Sequence, residues 1–181
     1  MGAEMNSDEF LRGQTDYRRV LQALRSGQVD FILVGGLAAV VHGSPRFTQD
    51  VDVVYSRARE NIRRVAEAMS PFSPYLRGAP PGLPFVWDER TILMGLNFTL
   101  ITTLGDVDFL GEVTGGGTYE KLLPFSDVAE AFGTSFHCIG LETLIRLKRA
   151  AGRTKDLETI AELQALLEER RKLKRIDFDA T

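Results

Sequence analysis

Two acidic pairs set in otherwise apolar runs, Asp50-Val51-Asp52 and Asp106-Val107-Asp108, constrain this chain more than any other feature. Residues two apart in a strand point to the same side. Both carboxylates of each pair therefore project together, while Val51 and Val53 turn to the core. Carboxylates that close repel and raise each other's pKa unless a cation lies between them. A strand bearing such a pair needs either open solvent or a cation over that face. Oxygen ligands on a rigid strand suit magnesium, which takes one or two protein carboxylates and completes its shell with water and substrate phosphate. If the two strands are neighbours, Asp108 or Asp106 joins the first pair. Three carboxylates can hold two ions that clamp the attacking and leaving oxygens of an in-line phosphoryl displacement.

Hydrophobic periodicity places these pairs in a wider order. Phe10, Tyr17, Val20, Leu21 and Leu24 share one helical stripe over 9–26. Phe31 to Val34 reads as a short buried strand ended by Gly35-Gly36, and Leu37 to Val41 as a short helix stopped by Gly43-Ser44-Pro45. A strand over 51–55 and a helix over 57–69 follow, the latter burying Ile62, Val65, Ala66 and Met69. Residues 70–90 hold five of the seven prolines and read as a long loop. Leu96 to Thr102 and Asp106 to Leu110 predict a hairpin. Past the break Thr114-Gly115-Gly116-Gly117 come a short helix near 118–123 and strands near 127–131 and 135–139. Helices over 141–151 and 155–173, parted by Gly152, close the chain. This order predicts an α+β (α/β) fold, a mixed sheet flanked by helices with a helical C-terminal part. With 181 residues, one domain over 1–181 is expected, its catalytic sheet core at 28–112 and its helical part at 140–175.

Composition excludes several classes. Hydrophobic residues make up 44% and charged residues 26%, which suits a folded domain and not a disordered chain. The net charge of -3 is unlike that of a strongly basic nucleic-acid binder. The single cysteine, Cys138, permits no intramolecular disulfide and reads as a small buried hydrophobe. There is no apolar leader-like segment, and no apolar run reaches the roughly 18 residues of a membrane span, so a cytoplasmic protein is expected.

Gly35-Gly36 stands where a strand turns into a helix. Glycine there permits positive φ and close approach of backbone to a ligand, and free amides at a helix start point at negative charge. A plain strand-turn-helix link is the alternative reading.

A glycine pair, a short helix and then D-x-D on a strand, here Val34-Gly35-Gly36 through Asp50-Val51-Asp52, resembles the nucleotidyltransferase superfamily. Arg46-Phe47-Thr48-Gln49-Asp50 is similar to the Arg-x-Thr-x-Asp approach of small bacterial AbiEii toxin-type members. The segment from Leu147 to Leu157 resembles their Lys…Arg…Lys-Asp stretch. The resemblance implies a nucleotidyltransferase fold. It implies a magnesium-dependent enzyme that moves a nucleotide from a triphosphate such as ATP to an acceptor hydroxyl. Asp50 and Asp52 would bind metal, with Asp108 as third acid and Asp106 in reserve. Gly35, Gly36, Arg46, Thr48, Lys148 and Arg153 would hold the nucleotide. An RNA, a protein or a small molecule such as an antibiotic could be the acceptor, and an antitoxin a partner. A catalytically silent module that binds a nucleotide or a partner is the rival.

The residues supply one independent hint. Lys148 falls on the inward stripe of Leu141, Leu144 and Ile145. An inward lysine needs an anion, either a phosphate or a carboxylate such as Asp156. His42, His137, Phe85, Trp87 and the basic run 170–175 read as structural or solvated, with an RNA contact as the lesser reading of the last.

Overall fold

The computed structural model describes residues 13–179, with side chains through Ile176. The described elements are α1 (Tyr17–Ser26), β1 (Phe31–Val34), α2 (Gly35–Val41), β2 (Asp50–Tyr55), α3 (Arg59–Met69), β3 (Tyr75–Leu76), α4 (Glu89–Met94), β4 (Asn97–Thr102), β5 (Gly105–Leu110), α5 (Tyr119–Leu122), β6 (Ser126–Ala131), β7 (Thr134–Ile139), α6 (Leu141–Ala151) and α7 (Leu157–Asp179). The strands form one sheet in the order β3-β4-β5-β2-β1-β7-β6. β2 runs antiparallel to β1 and parallel to β5, and β7 runs parallel to β1. β4–β5, β6–β7 and β3–β4 are antiparallel pairs. The expected α+β fold is what forms: a mixed sheet flanked by helices, with a helical C-terminal part.

Each central element buries the face its pattern dictates. All four residues of β1 are buried, as befits a strand covered on both sides. In β2, Val51 and Val53 are fully buried, and Asp50 and Asp52, which alternate with them, are not. Helix α1 buries Val20, Leu21 and Leu24. It begins at Tyr17 rather than near 9, because Asp16 caps it by accepting the Arg19 N–H at 3.0 Å. Phe10 lies outside the described residues. The predicted stripe of α3 is buried in full. Gly152, at φ 65°, ends α6 in the left-handed turn expected of it.

Residues 70–90 are not the structureless loop the prolines predict. Tyr75–Leu76 adds an edge strand to β4, where a neighbouring proline removes no ladder hydrogen bond. Trp87 is buried against Phe98 and Phe109, with ring centroids 5.4 and 5.6 Å away. Arg57 ties down α4 by donating to the carbonyls of Ile92 and Leu93.

Asn61 holds β1 and β2 to α3. It is buried, accepts the Asp30 N–H at 2.7 Å, and donates to the carbonyls of Asp30 and Ser56 at 3.0 and 2.8 Å. Asn61→Ala orphans the Asp30 N–H and the Ser56 carbonyl, while the Asp30 carbonyl keeps the Ser56 N–H at 3.0 Å, and is expected to cost about 2 kcal/mol. A urea titration reads this as a lower midpoint at unchanged slope. A loss under about 0.5 kcal/mol would show that water takes over those bonds.

No helix among the described residues is long and apolar enough to cross a membrane.

Candidate active site

The site follows from the pairing of β2 with β5. The strands are parallel and in register, with Asp50 opposite Asp106 and Asp52 opposite Asp108. Registered residues share a face, so all four carboxylates stand on one side while Val51 and Val107 fill the core on the other. One oxygen each from Asp50, Asp52 and Asp108 lies within 4.8 Å of the other two. Asp106 stands beside Asp50 on the same face, outside this group of three. The structure thus separates the two third-acid candidates: Asp108 meets the first pair.

Burial pushes the Asp52 carboxyl up to about 7, and the charges of Asp50 and Asp108 add to the rise. Arg153 and Lys148 hold it back in part. Asp108 is raised to about 6, again chiefly by burial, opposed by Arg77 and reinforced by Asp50 and Asp106. Carboxyls that keep their protons so late are short of positive charge. An all-oxygen donor set with that deficit fits a hard divalent cation.

The glycine pair lies directly against this cluster. Gly35 has φ +67°, and a Cβ there would come within 2.7 Å of the Asp52 Cγ. A Cβ on Gly36 would come within 2.5 Å of the Thr48 hydroxyl oxygen. Thr48 donates to Asp50 Oδ1 at 3.0 Å and so orients one member of the triad. Thr15 ties the approach to β2, donating to the Gln49 carbonyl and accepting the Asp106 N–H. A cavity of about 260 Å³ opens here, bounded by the glycines, Thr48, the three acids and the basic residues Arg46, Lys148, Arg153 and Lys155.

The basic residues divide. Of the two partners open to Lys148, the carboxylate is present: its Nζ lies 2.9 Å from Asp156 Oδ1, and both side chains are buried. Arg153 Nε reaches the other oxygen of Asp156 at 3.0 Å while its side chain stays largely exposed. Arg46 lines the cavity, but its guanidinium turns to Glu158 and Glu162 of α7, at 2.8 and 2.9 Å.

The sequence reading missed Arg77. It follows β3 and lays its guanidinium across the acidic face. Nη1 lies 3.8 Å from Asp50 and 3.4 Å from Asp106, and Nη2 hydrogen-bonds Asp108. One signal was available: Arg77 is the only Lys or Arg between Arg64 and Arg90. A lone cation in a proline-rich apolar stretch needs an anion. Lys155 was likewise read only as part of a motif.

Other polar residues settle into structural roles. The ring of His42 hydrogen-bonds the Ile139 carbonyl at 2.7 Å, and burial lowers its pKa. Burial pushes the Cys138 thiol up to about 12, which makes it inert. In the basic run, Arg170 donates to the His42 carbonyl and Arg171 pairs with Glu142.

No family model matches the sequence, and no curated protein does. Solved structures do resemble it. A candidate nucleotidyltransferase from Thermotoga maritima superposes with TM-score 0.52 at 19% identity, over 89% of this chain and 96% of that one. The lincosamide antibiotic adenylyltransferase LnuA, with lincomycin bound, superposes with TM-score 0.56 at 15% identity, over 85% of this chain and 99% of that one. At such identities the likeness is one of fold, and neither protein bears on the AbiEii toxin type. The sheet order, the acidic face and both superpositions agree that this chain has the nucleotidyltransferase fold.

Proposed function

We propose that the protein is a metal-dependent nucleotidyltransferase that moves a nucleoside monophosphate from a triphosphate to an acceptor hydroxyl, releasing pyrophosphate. The observation that carries this reading is the meeting of Asp50, Asp52 and Asp108 beside a glycine cradle and a basic wall. Those three carboxylates would hold the divalent metal, expected to be magnesium in two ions. Bound there, it supplies charge neutralisation for the phosphoryl oxygens.

The rest of the work is the chain's own. Gly35 and Gly36 leave room for a triphosphate beside Asp52 and Thr48. Thr48 keeps the Asp50 carboxylate turned to the site. Lys148 stays with Asp156 and adds positive potential at Asp52, while exposed Arg153 and Lys155 are placed to meet phosphate oxygens. Arg46 is held by ion pairs at the surface, which solvent screens, so a triphosphate can draw it inward. One of the three carboxylates, Asp108 by its place on the neighbouring strand, would take the proton from the attacking hydroxyl. Positioning and charge account for most of such a reaction.

The acceptor class is open to direct test. LnuA is an antibiotic adenylyltransferase with lincomycin bound, so small-molecule hydroxyls join tRNA and protein in the panel. The purified protein, magnesium and each labelled triphosphate are incubated with each acceptor pool. Label should move to one pool and not in Asp50→Ala. Nucleotide binding with no transfer to any pool would favour the silent, partner-binding reading, and co-purification with an antitoxin-like protein would give it a role.

A further inference from the structure

The guanidinium of Arg77 occupies the face on which the divalent cation is expected. It touches Asp50 and Asp108, two of the three metal-directed carboxylates, and Asp106, which is not one of them. All four side chains are partly shielded from water, which keeps these charge interactions strong. Yet the fit is poor for Arg77 itself. Its Nε is buried with no hydrogen-bond partner among the described residues. An arginine kept only as a clamp satisfies its donors, because an orphaned buried donor costs about 1–3 kcal/mol. Arg77 sits where the carboxylates need charge, not where its own donors are best met.

Resting on the nucleotidyltransferase reading above, we infer that Arg77 is a built-in counter-ion that competes with the divalent metal for Asp50 and Asp108 and withdraws to Asp106 when metal binds. A divalent ion and a guanidinium a few ångströms apart repel, and the Asp108 oxygen that bonds Arg77 is no longer free to turn to an ion. Asp106 gives the displaced guanidinium a fixed place to go. It stands on the same face and already lies 3.4 Å from Nη1. The acidic cluster is thus partly neutralised in the metal-free state, and a metal must displace an internal cation to enter. This makes loading weaker without nucleotide. A triphosphate adds negative charge and tips the exchange toward the metal.

The test is equilibrium Mn²⁺ binding to the full-length protein without nucleotide, read by electron paramagnetic resonance. Arg77→Gln should bind Mn²⁺ about tenfold tighter than the parent and melt at a lower temperature when metal-free. Arg77→Lys keeps the charge but loses the fork that spans three carboxylates. It should bind about threefold tighter, whereas a purely long-range charge effect would leave it unchanged. Unchanged or weaker binding in both variants overturns the inference, as does absence of binding in every form. Should Arg77→Gln fail to fold, Arg77→Lys alone decides. Parent binding that vanishes in Asp52→Asn sustains the metal site on which the nucleotidyltransferase reading rests, whatever Arg77 does, so the two can fail separately.

Discussion

Asp52→Asn is expected to lower nucleotide transfer by about a thousandfold and, at pH 7.5 without metal, to make the protein more stable than its parent. Both effects have one cause. Burial holds the Asp52 carboxyl at about 7, against 3.8 for a free one. The folded state therefore keeps the proton that the unfolded state gives up. A carboxyl with a raised folded pKa stabilises the fold in acid and loses that contribution as pH climbs from about 4 to about 7. At roughly 1.4 kcal/mol per pKa unit the full shift is worth about 4 kcal/mol. Solvent contact and the coupling to Asp50 and Asp108 reduce this to about 2 kcal/mol. Asparagine carries no charge to desolvate. Its gain should appear as about 4–8 °C in melting temperature at pH 7.5 and vanish near pH 4, where both proteins are neutral at that position. Magnesium should then stabilise the parent and not the variant. Equal melting temperatures at pH 7.5 would show that the acidic face carries no strain.

Gly35→Ala tests the cradle by a different route. The added methyl is penalised twice. Its φ of +67° lies in the left-handed region, which costs a non-glycine residue about 1–2 kcal/mol. Its Cβ would also overlap the Asp52 carboxylate. We expect a loss of about 2–3 kcal/mol in urea unfolding, with Asp52 displaced and transfer reduced by about a hundredfold. Gly152→Ala separates the two penalties. Gly152 has φ +65° but, among the described residues, no atom within 4 Å of an added Cβ. It should cost only about 1 kcal/mol and leave transfer intact. If both alanine variants behave alike, backbone strain is the whole effect and the contact with Asp52 is immaterial.

The acidic pairs were legible in the sequence because strand alternation has a period of two and the intervening valines mark the core side. The β4–β5 hairpin was legible because its strands are adjacent in sequence. The in-register pairing of β2 with β5, which makes one site of two pairs, was not: local pattern carries no record of a parallel partner some fifty residues away. The same holds for β7, which lies beside β1. A two-residue strand such as β3 shows no periodicity at all, and its prolines argued for a loop. Arg77 was lost with it. The inward face of Lys148 could be read from helical spacing, yet only the fold shows that Asp156 reaches it. Arg46 shows a further limit, since its motif points to the nucleotide while α7, packed from far along the chain, supplies Glu158 and Glu162.

The most direct test of the central claim is to follow the two ends of the nucleotide separately. The protein is incubated with magnesium, the acceptor pool that takes label, and ATP labelled at either the α- or the γ-phosphate. Label from the α-position on the acceptor, γ-label recovered in pyrophosphate, and neither event with Asp52→Asn is the predicted result. Transfer of γ-label to the acceptor, or α-transfer that survives Asp52→Asn, would contradict the assignment of Asp50, Asp52 and Asp108 as a nucleotidyl-transfer centre.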